Sequence, residues 1–356
     1  MKIIRLSTFL DFGGVETRLA NISHINDEHE WVFVCMNRDG KAARIIKENG
    51  KKVINLLCKP SIYSIQTLFK VYRILRKEKP DVIHTSGAEA NFHGILAAKL
   101  AGIPVIIGEE IGVPNHGTMA RFIFSNVYRY AHYIVGNSDK VLEVVHEIDN
   151  VPLNKLKKIE NPILFKKLPI RLQNNSLVQK FRILTISRLE PVKNIEGLIN
   201  VIARLRNETS YKVQLTIAGL GSIENLLRTM VIDLKLEDDI KFIGFINDPY
   251  PYLLASDLYV LNSFTEGFSN SLVEAMYSNT PSLSTTVGAA YEIILDGTNG
   301  FLVEPDNEQA LFEKLKSILS MNVDERENIG IAGHKTIFEN FSLENHVGKL
   351  MQVYKG

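Results

Sequence analysis

The stretch Ser263-Phe-Thr-Glu266-Gly-Phe-Ser-Asn-Ser-Leu-Val-Glu274-Ala-Met276 sets two carboxylates eight positions apart across a strand-to-helix turn. Before it, Asp257-Leu-Tyr-Val-Leu261 is an apolar run of the buried-strand type. After it, Leu272, Ala275 and Met276 recur at helical spacing. Glu266 therefore falls at a strand's carboxyl end, and Glu274 about one turn into the next helix. Helical side chains lean toward the helix N-terminus, so Glu274 is expected to point back at the turn where Gly267, Ser269 and Asn270 expose backbone N–H groups. Phe268 and Ser271 belong to the same turn. An anion suits such N–H groups, and a polyol suits two acceptor-rich carboxylates.

Upstream, Arg188 and Lys193 lie five positions apart around Pro191, after the strand-like run Phe181–Ser187. Two cations there could neutralise a diphosphate leaving group, Arg by gripping two oxygens and Lys as a point charge. Gly219-Leu-Gly221 follows another strand-like run and suits either a plain chain reversal or ligand contact. In Phe242-Ile-Gly244-Phe245, backbone groups around the glycine could read the edge of a base, with Phe242 the better core residue.

Together with Thr285-Thr-Val-Gly288, these segments resemble, in order, the retaining glycosyltransferases of the large bacterial family four, group 1. The resemblance covers most of the C-terminal half. It implies the GT-B architecture, two doubly wound Rossmann-like domains facing a central cleft. It puts Glu266 on the donor sugar, Glu274 on the ribose, Arg188 and Lys193 on the departing diphosphate, and Gly14, Gly219, Gly244, Phe245 and the Gly267–Ser271 turn around the donor. In similar proteins the last helix returns to the N-terminal domain.

Bulk properties agree with two domains. At 356 residues the chain exceeds most single cores, and its 45% hydrophobic and 23% charged residues read as a globular protein. A net charge of +1 argues against nucleic acid as the main partner. No run approaches a membrane span, and Met1 to Leu10 leads into a glycine turn rather than a signal-peptide cleavage site, so a cytoplasmic location is expected. Cys35 and Cys58 read as reduced core thiols. Without an Asp-x-Asp pair, a His-x-x-x-His or a cysteine cluster, no metal and no resident cofactor are expected; the nucleotide sugar is a co-substrate.

Strand-like and helix-like segments alternate through both halves, which predicts parallel sheets with helices on both faces. The boundaries read as 1–164 for an acceptor-side domain, 165–180 for a linker, 181–339 for a donor domain, and 340–356 for the returning helix, capped by Ser342 with Asn345 three residues on.

The N-terminal chemistry is less sharply drawn. Gly13-Gly14 follows the first strand and opens a helix, where paired glycines let amides approach an anion. His84 ends a strand and resembles the first position of a family H-x-H segment whose second histidine is Ser86 here. After Val105-Ile-Ile-Gly, relatives carry a histidine near the donor sugar, and this chain has Glu109 and Glu110. Either one of them binds acceptor hydroxyls or the pair caps the next segment. Tyr63–Lys79 and Thr118–Tyr133 mix basic and aromatic residues, which suits an anionic membrane surface or, as the plainer reading, half-buried helices with a solvated basic face.

The expected activity is transfer of a sugar, with retention, from a nucleotide-diphosphate sugar, UDP-sugar first among them, to a saccharide or lipid-linked saccharide acceptor of surface polysaccharide. The alternatives are a sugar-nucleotide epimerase of the same architecture and a catalytically idle scaffold.

Overall fold

The computed structural model describes residues 1–11, 13–59, 61–112, 117–168 and 180–356. Most of the expected linker, at 169–179, lies outside them. The chain divides into two compact units, Met1–Leu164 with Phe341–Gly356, and Phe165–Asn340.

The first unit is built on β1 (Lys2–Leu10), β2 (Glu30–Asp39), β3 (Lys52–Asn55), β4 (Val82–Ser86), β5 (Val105–Glu110), β6 (Tyr133–Gly136) and β7 (Leu156–Lys158). They form one parallel sheet in the order 3-2-1-4-5-6-7. The connecting helices are α1 (Gly14–Ile22), α2 (Lys41–Glu48), α3 (Ile65–Glu78), α4 (Ala88–Ala101), α5 (Thr118–Tyr128) and α6 (Asp139–Asp149). Strands covered on both faces need near-continuous apolar runs, and Trp31 to Met36 is buried without interruption. One core is closed by α3, α4, α5 and α6, through Val71, Ile95, Phe124 and Val145. The opposite core is closed by α1 and α2, through Leu19 and Ile46.

The second unit repeats the plan with β8 (Phe181–Ile186), β9 (Val213–Ala218), β10 (Ile240–Gly244), β11 (Leu258–Leu261), β12 (Ser282–Thr285) and β13 (Phe301–Val303). Their order is 10-9-8-11-12-13, again parallel. Its helices are α7 (Ile195–Glu208), α8 (Glu224–Asp233), α9 (Tyr250–Leu254), α10 (Asn270–Tyr277), α11 (Ala290–Ile293), α12 (Glu308–Ser320) and α13 (Val323–Asn340). The chain then returns: α14 (Leu343–Lys355) lays Leu343, Val347, Leu350 and Val353 into the α1–α2 core of the first unit. Its start is fixed by Ser342, whose hydroxyl accepts the Asn345 amide at 3.0 Å.

Strand order reverses between β1 and β4 in the first unit and between β8 and β11 in the second. In open α/β sheets, ligands bind beyond the carboxyl ends of strands at such a switch point, because the two outgoing connections diverge there.

Candidate active site

The connections leaving β8 and β11 meet at the second switch point. The Phe264 amide donates to the Val192 carbonyl at 2.8 Å, and the Asn262 side chain donates to the Asn194 carbonyl at 2.9 Å. Asn194 adopts φ +47° and caps α7 through the Gly197 amide. This stitching brings Lys193 onto the Glu266 carboxylate as an ion pair, and the Ser263 hydroxyl donates to the same carboxylate at 2.9 Å. Lys193 and Glu266, assigned to phosphate and sugar separately by the sequence, thus form one unit. Arg188 is exposed on the same β8 connection.

Close backbone approaches hold this connection. A Cβ on Gly219 would lie 1.8 Å from the Ser187 carbonyl oxygen, and one on Gly221 would lie 2.1 Å from that of Leu189. The Gly219 amide donates to the Gly244 carbonyl at 2.8 Å. Its role is therefore the close approach that fixes the Arg188 turn, and its N–H is not offered to a phosphate. Gly244 needs its glycine for φ +69°. Phe242 packs against the core with the Arg228 guanidinium 4.6 Å above its ring, whereas Phe245 is mostly exposed.

The α10 turn is equally constrained. Ser269 caps the helix by accepting the Leu272 amide, and Ser271 accepts from the Tyr259 hydroxyl at 2.8 Å while donating to the Ile186 carbonyl at 3.1 Å. Ser271 thus pins the helix start to β8 and β11. Phe268 and Asn270 are partly exposed in this turn, and Gly267 is buried. Gly288 follows β12 at φ +55°, where any Cβ would meet the Glu266 and Gly267 carbonyl oxygens at 2.5 Å. The sequence signals Gly288 only as a glycine after a strand; its contact with the glutamate turn required the fold. Glu274 is half-buried near Lys166, Asp248 and Tyr250. Burial pushes its carboxyl up to about 7, Lys166 partly opposing and Asp248 adding to the shift.

At the first unit's switch point the expectations change. β5 extends through Glu109 and Glu110, so alternation sends the two carboxylates to opposite faces of the sheet. Glu109 is gripped by Arg18 at 2.5 and 2.6 Å, by Arg5 at 3.1 Å and by the Ser86 hydroxyl at 2.6 Å. Burial favours its acid form, but Arg18, with His84 and Arg5, outweighs that and holds the carboxyl well below the usual range. His84 is fully buried, bonded through Nδ1 to the Tyr354 hydroxyl at 2.6 Å, and its pKa falls to about 4, mainly through burial and then through Arg5. Glu110 bonds Asn91 at 3.0 Å and the Tyr128 hydroxyl. All three are buried and engaged as arranged: His84 and Glu109 tie β4 and β5 to β1, α1 and α14, and Glu110 ties β5 to α4 and α5. The sequence signal for the network was Arg5, a charge inside the apolar run Ile3-Ile4-Arg5-Leu6.

Gly13 caps α1 at φ +148°, and a Cβ there would lie 2.2 Å from a Glu16 carboxylate oxygen. The chain's own carboxylate thus folds over the glycine pair at the start of α1, with Gly14 the first helical residue. Burial raises the Glu16 pKa, its own backbone N–H opposing. Cys35 and Cys58 are buried free thiols, and burial pushes the Cys35 thiol up to about 11. Among the described residues no cluster of His, Cys, Asp or Glu could hold a metal ion, and no helix is long and apolar enough to cross a membrane.

Comparison with known proteins matches both units. Residues 12–164 fit the family model for Glycosyltransferase Family 4, and 167–336 that for Glycosyl transferases group 1. The chain is 32% identical, over 56% of its length and 54% of the relative's, to a Campylobacter jejuni N-acetylgalactosaminyltransferase acting on a diacetylbacillosaminyl-diphospho-undecaprenol saccharide. It is 23% identical, over 82% and 80%, to the Escherichia coli UDP-Gal:alpha-D-GlcNAc-diphosphoundecaprenol alpha-1,3-galactosyltransferase. The Anabaena protein HepE, solved in complex with UDP, superposes with a TM-score of 0.86 at 20% identity over 100% of both chains, which is a likeness of fold. With a Family 4 unit followed by a group 1 unit and little of the chain outside them, the protein belongs to the Family 4, group 1 glycosyltransferases and has the GT-B fold.

Proposed function

We propose that this glycosyltransferase moves a sugar from a UDP-sugar, with retention of anomeric configuration, to a saccharide or lipid-linked saccharide acceptor in surface-polysaccharide biosynthesis. The observation that carries the reading is the Lys193–Glu266 pair at the second unit's switch point, on the connections that also bear Arg188 and lead into α10. UDP in the HepE complex and the diphosphoundecaprenol acceptors named for the two relatives support the donor and acceptor classes. The two family models describe sugar transfer, which favours it over an epimerase or an idle scaffold.

In this mechanism Arg188 and Lys193 take up the charge of the departing diphosphate, Glu266 accepts hydroxyls of the donor sugar, and Glu274 accepts those of the ribose. The bond from the anomeric carbon to the diphosphate oxygen breaks as the acceptor oxygen bonds to the same face, and the acceptor's proton passes to the departing phosphate. Two positioned cations make a divalent metal unnecessary for the leaving group. A lipid-linked acceptor would place the enzyme peripherally on the cytoplasmic face of a membrane.

The test is transfer from UDP-sugars to saccharide diphospholipids. Arg188→Ala and Lys193→Ala should each lower turnover on the order of 10²-fold, as for loss of a preorganised group that stabilises developing charge. EDTA should leave the rate unchanged. Activity abolished by EDTA and restored by a divalent cation would refute the metal-free mechanism.

A further inference from the structure

The Glu266 carboxylate is unevenly occupied. Lys193 and the Ser263 hydroxyl both bond to Oε1, Ser263 at 2.9 Å, while Oε2 takes no hydrogen bond from the described residues. One oxygen is thereby tied to the protein, and the other is left to accept hydroxyl groups. Ser263 itself is fully buried, and its backbone is held from both sides. The neighbouring Asn262 side chain donates to the Asn194 carbonyl and the Phe264 amide to the Val192 carbonyl, both on the β8 connection. The Ser263 carbonyl accepts the Thr285 hydroxyl, at the end of β12, at 2.7 Å.

A buried hydroxyl is commonly satisfied by a backbone carbonyl, and Ser278, Ser282 and Ser284, buried in the same unit, all donate to one. Ser263 donates to a carboxylate, out of reach of solvent, and a bond to a charged acceptor is the stronger kind. The two groups on Oε1 also differ in what the reaction asks of them. Lys193 is needed at the departing diphosphate, and turning there takes it off Glu266. Ser263 has no other acceptor among the described residues, so its bond to Oε1 persists. We infer that Ser263 is a positioning residue, which keeps Oε2 of Glu266 presented to the donor sugar once Lys193 has engaged the diphosphate. The inference rests on the proposed function for what Glu266 and Lys193 hold.

The experiment is steady-state kinetics of the full chain with UDP-glucose, UDP-galactose and UDP-N-acetylgalactosamine and a saccharide diphospholipid acceptor, alongside calorimetry with UDP. In Ser263→Ala, kcat should fall about 10- to 100-fold, the factor carried by a hydrogen bond to a charged group, while KM moves far less. Affinity for UDP should be unchanged, because UDP carries no sugar for Glu266 to hold. Ser263→Cys fills the same space with a weak donor and should lower kcat in the same direction, which reads the claim even where the alanine variant does not fold. A second measurement needs no activity. In crystals of Lys193→Ala the Glu266 carboxylate should keep its direction on Ser263 alone, and in Lys193→Ala with Ser263→Ala it should lose it. Turnover in both Ser263 variants equal to the parent's, a loss confined to KM and UDP affinity, or a carboxylate that keeps its direction in the double variant would each overturn the inference. A parent that transfers from none of these UDP-sugars counts against the proposed donor, and the crystal comparison still reads the positioning of Glu266.

Discussion

Glu274 is held in α10 with its carboxyl pushed up to about 7 from an ordinary 4.5, first of all by burial. Its acid form is therefore favoured in the folded chain. The stability it contributes is complete below about pH 4.5 and is lost as the pH rises through about 7. Glu274→Gln abolishes that loss. Urea unfolding should find the variant more stable than the parent at pH 8 by on the order of 3 kcal/mol, the equivalent of the shift, with the gain absent near pH 4. If Glu274 also accepts ribose hydroxyls, the parent's affinity for UDP should rise from about pH 6 to pH 8, and the variant's should not. Parallel pH profiles for stability would contradict the buried environment described here. Position was legible at the level of single residues where spacing carries it: Arg188, Lys193 and Glu266 fall in connections that leave strands, and Glu274 in the helix that follows. The sequence was uninformative where a role is steric. Nothing in Thr285-Thr-Val-Gly288 discloses that the glycine lies under the carbonyls of Glu266 and Gly267.

Elements were legible in proportion to how regular their patterns are. The strands stood out as apolar runs, and α12 carries a plain stripe of Leu311, Leu315, Ile318 and Leu319. Helix α13 is obscured for a physical reason: Gly330 and Gly333 read as breakers, yet they bring the helix against the backbone at Asn279 and Asn299, where Cβ atoms would lie 2.3 and 2.8 Å from the carbonyl oxygens. β7 has three residues, two of them Lys157 and Lys158, at a sheet edge where apolar alternation is not required. The extent of β5 decided the fate of Glu109, which lies in the strand and is consumed by Arg18 and Arg5. Glu109→Gln leaves two guanidinium groups without their buried carboxylate and should destabilise the first unit by about 3–5 kcal/mol, measured by urea unfolding. A variant as stable as the parent would show that the network is incidental to how β1, β4 and β5 are held.

At the scale of the whole molecule, two similar sheets place two switch points in one chain, and the described chemistry is divided unequally between them. The second unit carries a cation–carboxylate pair and a helix start braced by backbone contacts. The first carries a buried ionic network closed by Tyr354 from the returning helix, together with an exposed basic and apolar face. The doubly wound class was readable because alternating apolar runs and helices admit few other arrangements. The buried network was not, because its members are scattered from Arg5 to Tyr354 and meet only when α14 returns. Transfer with retention from a UDP-sugar is read in the anomeric configuration of the product, from the proton NMR coupling of the newly linked sugar. An α-linked UDP-sugar and a saccharide diphospholipid acceptor should give an α-glycoside. A β-glycoside would contradict retention.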